Sequence, residues 1–235
     1  MTGRRAGKNQ AEKAASRGLF SLERGGGSLL AFDLSFGKSP LCGLDEAGRG
    51  PLAGPLAAAA VILDPEKTYP GVDDSKKLTP QVRESLYEEI LQRALAVEVA
   101  LKSPGEVDEL NPLKASMLAM REAFLKLQIK PALCLADGNV RPPLPCEVRA
   151  VVKGDSLSLC VAAASVVAKV TRDRIMLELD GKYPRYGFAR HKGYPTREHY
   201  EALRRYGPCP EHRLSYRGVL PEGGKGGGTR KGLFS

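Results

Sequence analysis

Short apolar runs bounded by Gly and Pro alternate along the chain with stretches in which apolar residues recur every three or four positions. Leu41 to Leu44 and Leu56 to Leu63 read as strands. The link between them is short, which predicts antiparallel pairing. Thr79-Pro80 opens a helix, with Thr as N-cap and Pro in the first turn, and Val82, Leu86 and Ile90 then fall on one face. Val97 to Leu101 reads as a strand. Ser103-Pro104-Gly105-Glu106 has capping-box spacing and opens a short helix. Leu113, Met117, Met120, Phe124 and Leu127 form a helical stripe that reads as core packing. Ala132 to Ala136 is a strand ending at Asp137, and Val148 to Val152 is another ending just before Asp155. A long helix is expected from Ser158 to Asp180. Strands and helices mixed in this way predict an α/β architecture with a partly antiparallel sheet. From Pro184 to Leu220 the pattern predicts a small helical C-terminal subdomain.

Both ends depart from the pattern. Residues 1–38 begin rich in Gly, Arg, Lys and Ser, contain Gly25-Gly26-Gly27, and read as a basic, disordered arm. Residues 221–235 read as a Gly/Lys-rich flexible tail. The folded body is therefore expected over residues 39–220. The chain has 235 residues, 42% of them hydrophobic, so a substantial core can be buried. The formal net charge of +9 favours an anionic partner, with nucleic acid ahead of lipid, although a soluble basic protein has the same composition. No apolar run is long enough to span a bilayer, so no membrane is expected, and the first ten residues lack the apolar core of a secretory signal. Cys42, Cys134, Cys146, Cys160 and Cys209 form no C-x-x-C pair. They read as small hydrophobes of a reducing, cytoplasmic compartment. His191, His199 and His212 show no metal-site spacing with them.

Candidate chemistry lies at the strand ends. Asp45-Glu46-Ala47-Gly48-Arg49-Gly50-Pro51 sets two adjacent carboxylates beside a glycine-flanked arginine. Adjacent carboxylates repel unless a cation sits between them, and hard oxygen ligands suit Mg²⁺ or Mn²⁺. Asp137 and Asp155 also lie at or just past strand ends, where α/β sheets gather ligands. Alternation along a strand points residues 45 and 46 to opposite faces, so both reach one site only if the strand twists, bulges or ends there. Taken singly, Asp137 of an Asp-Gly pair reads as a turn residue and Asp155 as a helix-proximal cap.

The run from Asp45 to Pro55 resembles the opening signature of bacterial ribonuclease HII. Ala136-Asp137-Gly138, Lys153-Gly154-Asp155, the segment Ala162 to Asp173, and His191-Lys192-Gly193-Tyr194 match the same family in the same order. The resemblance implies a ribonuclease H-like mixed sheet flanked by helices. It implies that Asp45, Glu46, Asp137 and Asp155 are the catalytic, metal-binding carboxylates of a two-metal Mg²⁺ or Mn²⁺ site, with Asp173 a secondary acid. The implied reaction is endonucleolytic hydrolysis of the RNA strand of RNA–DNA hybrids. It includes incision 5′ to single ribonucleotides in duplex DNA, leaving 3′-OH and 5′-phosphate ends.

The resemblance also assigns the substrate contacts. Gly48, Arg49 and Gly50 would meet the 2′-OH and its phosphates, and Tyr194 would pack on the sugar of the next nucleotide. Asn111 matches a substrate-contacting asparagine. Lys76 and Lys77, within Asp74-Ser75-Lys76-Lys77-Leu78, would touch phosphates. Lys153, Lys169 and Lys192, with Arg172 and Arg190, are further basic candidates, and a solvated charged face accounts equally well for any one of them. The related ribonuclease HIII carries an extra N-terminal substrate-binding domain, for which the first 40 residues are too short and Gly-rich. A non-catalytic binder on the same fold would be expected to lack one of the four acids, and this chain has all four. A monomer is expected. Gly-Leu-Phe-Ser at 18–21 and 232–235 reads as chance recurrence in biased sequence, with docking on a replication clamp as the alternative.

Overall fold

A computed structural model describes residues 27–220. Its centre is a five-stranded sheet of order β3-β2-β1-β4-β5. The strands are β1 (Leu41–Ala47), β2 (Leu56–Ile62), β3 (Ala96–Lys102), β4 (Leu133–Asp137) and β5 (Val148–Val151). β1, β2 and β3 pair antiparallel, while β4 runs parallel to β1 and β5 parallel to β4. Residues 48–55 join β1 to β2 and are too few for a crossover, which enforces the hairpin. The helices are α1 (Gly27–Leu34), α2 (Pro80–Arg93), α3 (Pro104–Leu110), α4 (Pro112–Lys126), α5 (Leu159–Lys182), α6 (Phe188–His191) and α7 (Arg197–Tyr206).

The sheet is covered on both faces. β2, Leu-Ala-Ala-Ala-Ala-Val-Ile, is buried throughout, and its small residues let helices approach from either side. Leu56, Ala58, Ala60 and Ile62 join a core with Ala115, Met120 and Phe124 of α4. Ala59 and Val61 join the opposite core with Ala162, Val166 and Val170 of α5. α5 lies directly on the β1 backbone: a Cβ at Gly43 would sit 2.0 Å from the Cys160 carbonyl oxygen. Glycine is required there because any side chain would drive the helix off the strand.

The expected caps form. Thr79 Oγ1 accepts from Val82 N, and Ser103 with Glu106 makes a reciprocal capping box. Leu86 and Ile90 are buried as expected, whereas Val82 and Leu113 are exposed, so each apolar stripe is one residue narrower than its spacing suggests.

The arm boundary at residue 38 needs correction. Residues 27–34 are helical, Leu29 is buried against α5, and Asp33 Oδ2 accepts from Cys160 N at 2.9 Å. Asp33 thus caps the start of α5 from a distant segment. The glycine triplet masked the apolar cluster Leu29, Leu30 and Phe32 that follows it.

Residues beyond α5 pack back on the β1–β2 link. Tyr186, Phe188 and Ala202 cluster with Ala53 and Met176, and Leu203 and Val219 enclose Leu52. No helix among the described residues is long and apolar enough to cross a membrane. All five cysteines are free, and Cys42, Cys134 and Cys160 are buried.

Candidate active site

The parallel register Leu44↔Ala136 carries β1 and β4 forward to place Asp45 beside Asp137. Asp137 Oδ1 accepts from Gly154 N at 2.7 Å. This bond ties the end of β4 to the 3₁₀ turn Gly154–Ser156, which delivers Asp155. Asp45, Asp137 and Asp155 each offer one carboxylate oxygen, and the three oxygens lie within 4.8 Å of one another. Glu46 obeys strand alternation. Its Oε2 accepts from Ser116 Oγ of α4 at 2.9 Å, and its Oε1 pairs with Arg49 Nε at 2.8 Å. It still lines the same pocket as Asp45.

Converging carboxylates are unfavourable without a cation. Burial first, then the charges of Glu46, Asp137 and Asp155, push Asp45 well above the usual carboxylate range. Burial also raises Glu46, and Arg49 and Ser116 offset part of that rise. Lys76 Nζ donates to Asp155 Oδ2 at 2.7 Å. Burial works against its charge, but Asp155 and the neighbouring acids outweigh it and raise Lys76 overall. Three hard oxygen donors with surplus negative charge fit Mg²⁺ or Mn²⁺.

A pocket of about 220 Å³ opens over this cluster. The β1–β2 link walls it with Gly48, Arg49 and Gly50, and Tyr194 stands at its mouth. Two buried arginines, neither paired with a carboxylate, hold that link by its carbonyls. Arg172 donates to Pro55 O, Lys192 O and Ala53 O at 2.9, 2.9 and 3.0 Å. Arg213 donates to Gly54 O at 2.9 Å and to Arg49 O at 3.2 Å. Burial pulls Arg172 down to about 10, so it remains charged at neutral pH. Gly48 (φ +110°) could not carry a side chain, since a Cβ would meet Arg172 Nε at 2.5 Å.

The structure brings together Asp45, Glu46, Asp137, Asp155, Gly48, Arg49, Gly50, Tyr194, Lys76 and Lys169. Other candidates fall outside the pocket lining. Lys77 is exposed and pairs with Asp73 at 3.0 Å. The side chain of Asn111 caps α4, accepting from Leu113 N and Lys114 N. Lys153 is an exposed turn residue at φ 58°. Lys192 turns its ammonium to Ala189 O. Asp173 pairs with Lys169 at 2.6 Å, an ordinary i,i+4 ion pair on α5. Sequence reasoning missed Ser75 and Ser165, whose hydroxyls meet at 2.7 Å beneath the pocket, and Ser116 behind Glu46. Nothing in their spacing announces contacts across so much sequence. The Gly-Leu-Phe-Ser repeats lie outside the described residues.

Comparison with known proteins identifies the family. The family model for ribonuclease HII matches residues 42–219. The ribonuclease HII of Agrobacterium fabrum is 55% identical over 191 residues, covering 80% of this chain and 88% of that protein. That of Shewanella amazonensis is 56% identical over 179 residues, covering 76% and 87%. Among solved structures, ribonuclease H2 from Pyrococcus horikoshii OT3 superposes with a TM-score of 0.67 at 32% identity, over 76% of this chain and 94% of that one. The ribonuclease HII of the Archaeoglobus fulgidus PCNA complex gives 0.64 at 31% identity, over 76% and 95%. With a family model spanning most of the body and relatives above half identity, the chain belongs to the ribonuclease HII family, metal-dependent endonucleases of the ribonuclease H type.

Proposed function

We propose that this chain hydrolyses the RNA strand of RNA–DNA hybrids and incises duplex DNA 5′ to a single embedded ribonucleotide, leaving 3′-OH and 5′-phosphate ends. The observation that carries the reading is the carboxylate trio under a glycine-walled pocket, with an exposed tyrosine at its mouth.

Asp45, Asp137 and Asp155, with Glu46 lining the same pocket, would hold two divalent ions. Bound there, Mg²⁺ or Mn²⁺ would stabilise the attacking and leaving oxygens of an in-line phosphodiester displacement. The remaining work falls to the chain. Arg49, Lys76 and Lys169 line the pocket with positive charge, which orients phosphates without reading sequence. Lys77, Lys153 and Lys192, adjacent in sequence to pocket elements, are left for phosphates farther along the strand, and Asn111 for a more distant contact.

Only the 2′-OH distinguishes RNA from DNA at a given position. The backbone of Gly48 to Gly50 can approach that hydroxyl without side-chain obstruction. Arg213 holds the Arg49 carbonyl within it and Arg172 holds the following Ala53 and Pro55 carbonyls, so little of the link is left to order on binding. Tyr194 lies beside Gly50: a Cβ there would be 3.9 Å from the tyrosine ring. A ring packed on the next sugar accepts a deoxyribose and is crowded by a ribose, which makes the enzyme sense an RNA-to-DNA step.

The test is cleavage of a labelled DNA duplex carrying one internal ribonucleotide, with Mg²⁺, Mn²⁺ or EDTA. One metal-dependent cut 5′ to the ribonucleotide is expected. Cleavage of a long hybrid alone would remove the junction reading, and binding without cleavage of either would remove the catalytic one. Tyr194→Ala is expected to lose most of its preference for the single-ribonucleotide duplex while still cutting a long hybrid. An unchanged preference would place the sugar sensor elsewhere.

A further inference from the structure

The three histidines, unrelated by spacing, meet in one buried cluster beside the pocket. His191, His199 and His212 are all buried, and the rings of His191 and His199 stack at 4.4 Å. The cluster is not a free ligand set, because every ring nitrogen is engaged. His191 Nε2 meets Tyr186 O at 2.8 Å and its Nδ1 accepts from Gly193 N at 3.2 Å. His199 Nδ1 meets Tyr194 O at 3.0 Å, and its Nε2 meets His212 Nε2 at 3.0 Å. His212 Nδ1 accepts from Cys209 N at 2.9 Å.

The fixed ends of this chain set every proton. A backbone N–H only donates, so His212 Nδ1 is an acceptor and its proton sits on Nε2. That proton points at His199 Nε2, which must accept. The proton of His199 therefore sits on Nδ1 and is donated to the Tyr194 carbonyl, which can only accept. An added proton anywhere would set N–H against N–H. Burial holds His199 and His212 down to about 4, so both rings are neutral at working pH.

Tyr194 needs such a hold. The two residues before it are left-handed, Lys192 at φ 50° and Gly193 at φ 80°. Left-handed backbone at a lysine is unfavourable and persists only where the surroundings impose it. Gly193 O accepts from Leu52 N at 2.8 Å, and a Cβ at Gly193 would meet Ala53 O at 2.4 Å. The segment is thus pinned to the β1–β2 link on one side and, through His199, to α7 on the other. We infer that His199, with its proton placed by His212, is a positioning residue that fixes the Tyr194 ring against Gly50 and so sets the selectivity for the RNA-to-DNA step. This inference rests on the reading of Tyr194 as the sugar sensor.

The test combines ¹⁵N NMR with a double-mutant cycle in the full chain. In the wild type, ring ¹⁵N shifts are expected to place the proton on Nδ1 of His199 and on Nε2 of His212, and the reverse tautomers would overturn the inference without any variant. In His199→Phe, the Tyr194 and Thr196 amides are expected to shift and exchange faster, since Tyr194 O accepts from both Thr196 N and His199. Selectivity is the ratio of kcat/KM for the single-ribonucleotide duplex to that for a uniform RNA–DNA hybrid. It is expected to fall about fivefold in His199→Phe, the worth of one neutral hydrogen bond. His199→Asn, whose amide N–H can take the place of Nδ1–H, is expected to recover most of it. In a Tyr194→Ala background, His199→Phe should cost nothing further, whereas independent losses would mean a merely structural role. Unmoved amides with selectivity retained would also overturn the inference. If the amides move but Tyr194→Ala leaves selectivity intact, positioning stands and it is the sugar-sensing reading that fails.

Discussion

Asp45 shows how a residue can work against the fold that presents it. Its folded pKa is raised, so the protein without metal is most stable with Asp45 protonated. That stability is full below the ordinary value of 3.8 and is lost as pH climbs through the raised one. Asp45→Asn keeps the shape, removes one of three converging carboxylates and deletes an oxygen of the proposed metal site. It is expected to abolish cleavage and, in EDTA, to melt a few degrees above the wild type by calorimetry, since each 1 kcal/mol is worth about 2–4 °C in a domain of this size. Mg²⁺ should raise the melting temperature of the wild type and have little effect on the variant, because only the wild type offers the full set of oxygens. A variant that melts lower than the wild type in EDTA would show that the trio is not strained by its own charge.

Elements position that residue, and the tightest tolerance lies between β1 and α5. Gly43→Ala would press a methyl carbon into the Cys160 peptide, which is backbone and cannot rotate away. A loss of about 3 kcal/mol or more is expected, a fall of about 6–12 °C in thermal melting followed by circular dichroism. Gly181→Ala, in α5 with open space around it, is the control and should gain up to about 1 kcal/mol. Equal melting of the two variants would rule out the close approach. Most of this element layer was legible in the sequence, because strands, caps and stripes are local patterns. Thr79, Ser103 and the hairpin of β1 and β2 all form as read. The alternation difficulty at Asp45 and Glu46 was real, and the chain meets it by giving Glu46 its own partners, Ser116 and Arg49. What stayed illegible is long-range. Arg172 reaches carbonyls 117 and 119 residues away, Arg213 reaches one 159 away, and Asp33 caps a helix 127 residues on. No local spacing encodes such pairings, so α1 read as part of an arm and Arg172 as one more candidate for phosphate.

At the scale of the whole molecule, the positive charge is unevenly placed. Of the formal +9, residues 1–26 and 221–235 carry +6, with nine Lys and Arg against three Glu, which leaves +3 on residues 27–220. The body spends much of its own positive charge internally: Lys76 on Asp155, Lys169 on Asp173, and Arg172 and Arg213 on carbonyls. Affinity for a polyanion that depends on counterion release should therefore come largely from the terminal segments, while the site of the cut is set by the pocket. Replacing the nine terminal Lys and Arg by Gln in the full chain tests this division. The slope of log binding constant against log salt is expected to flatten by about 0.9 for each phosphate contact removed. KM should exceed that of the wild type most at low salt and change less as salt rises, while the cut position and kcat stay as in the wild type. An unchanged slope would assign binding to the body and leave the basic ends free for a different, acidic partner.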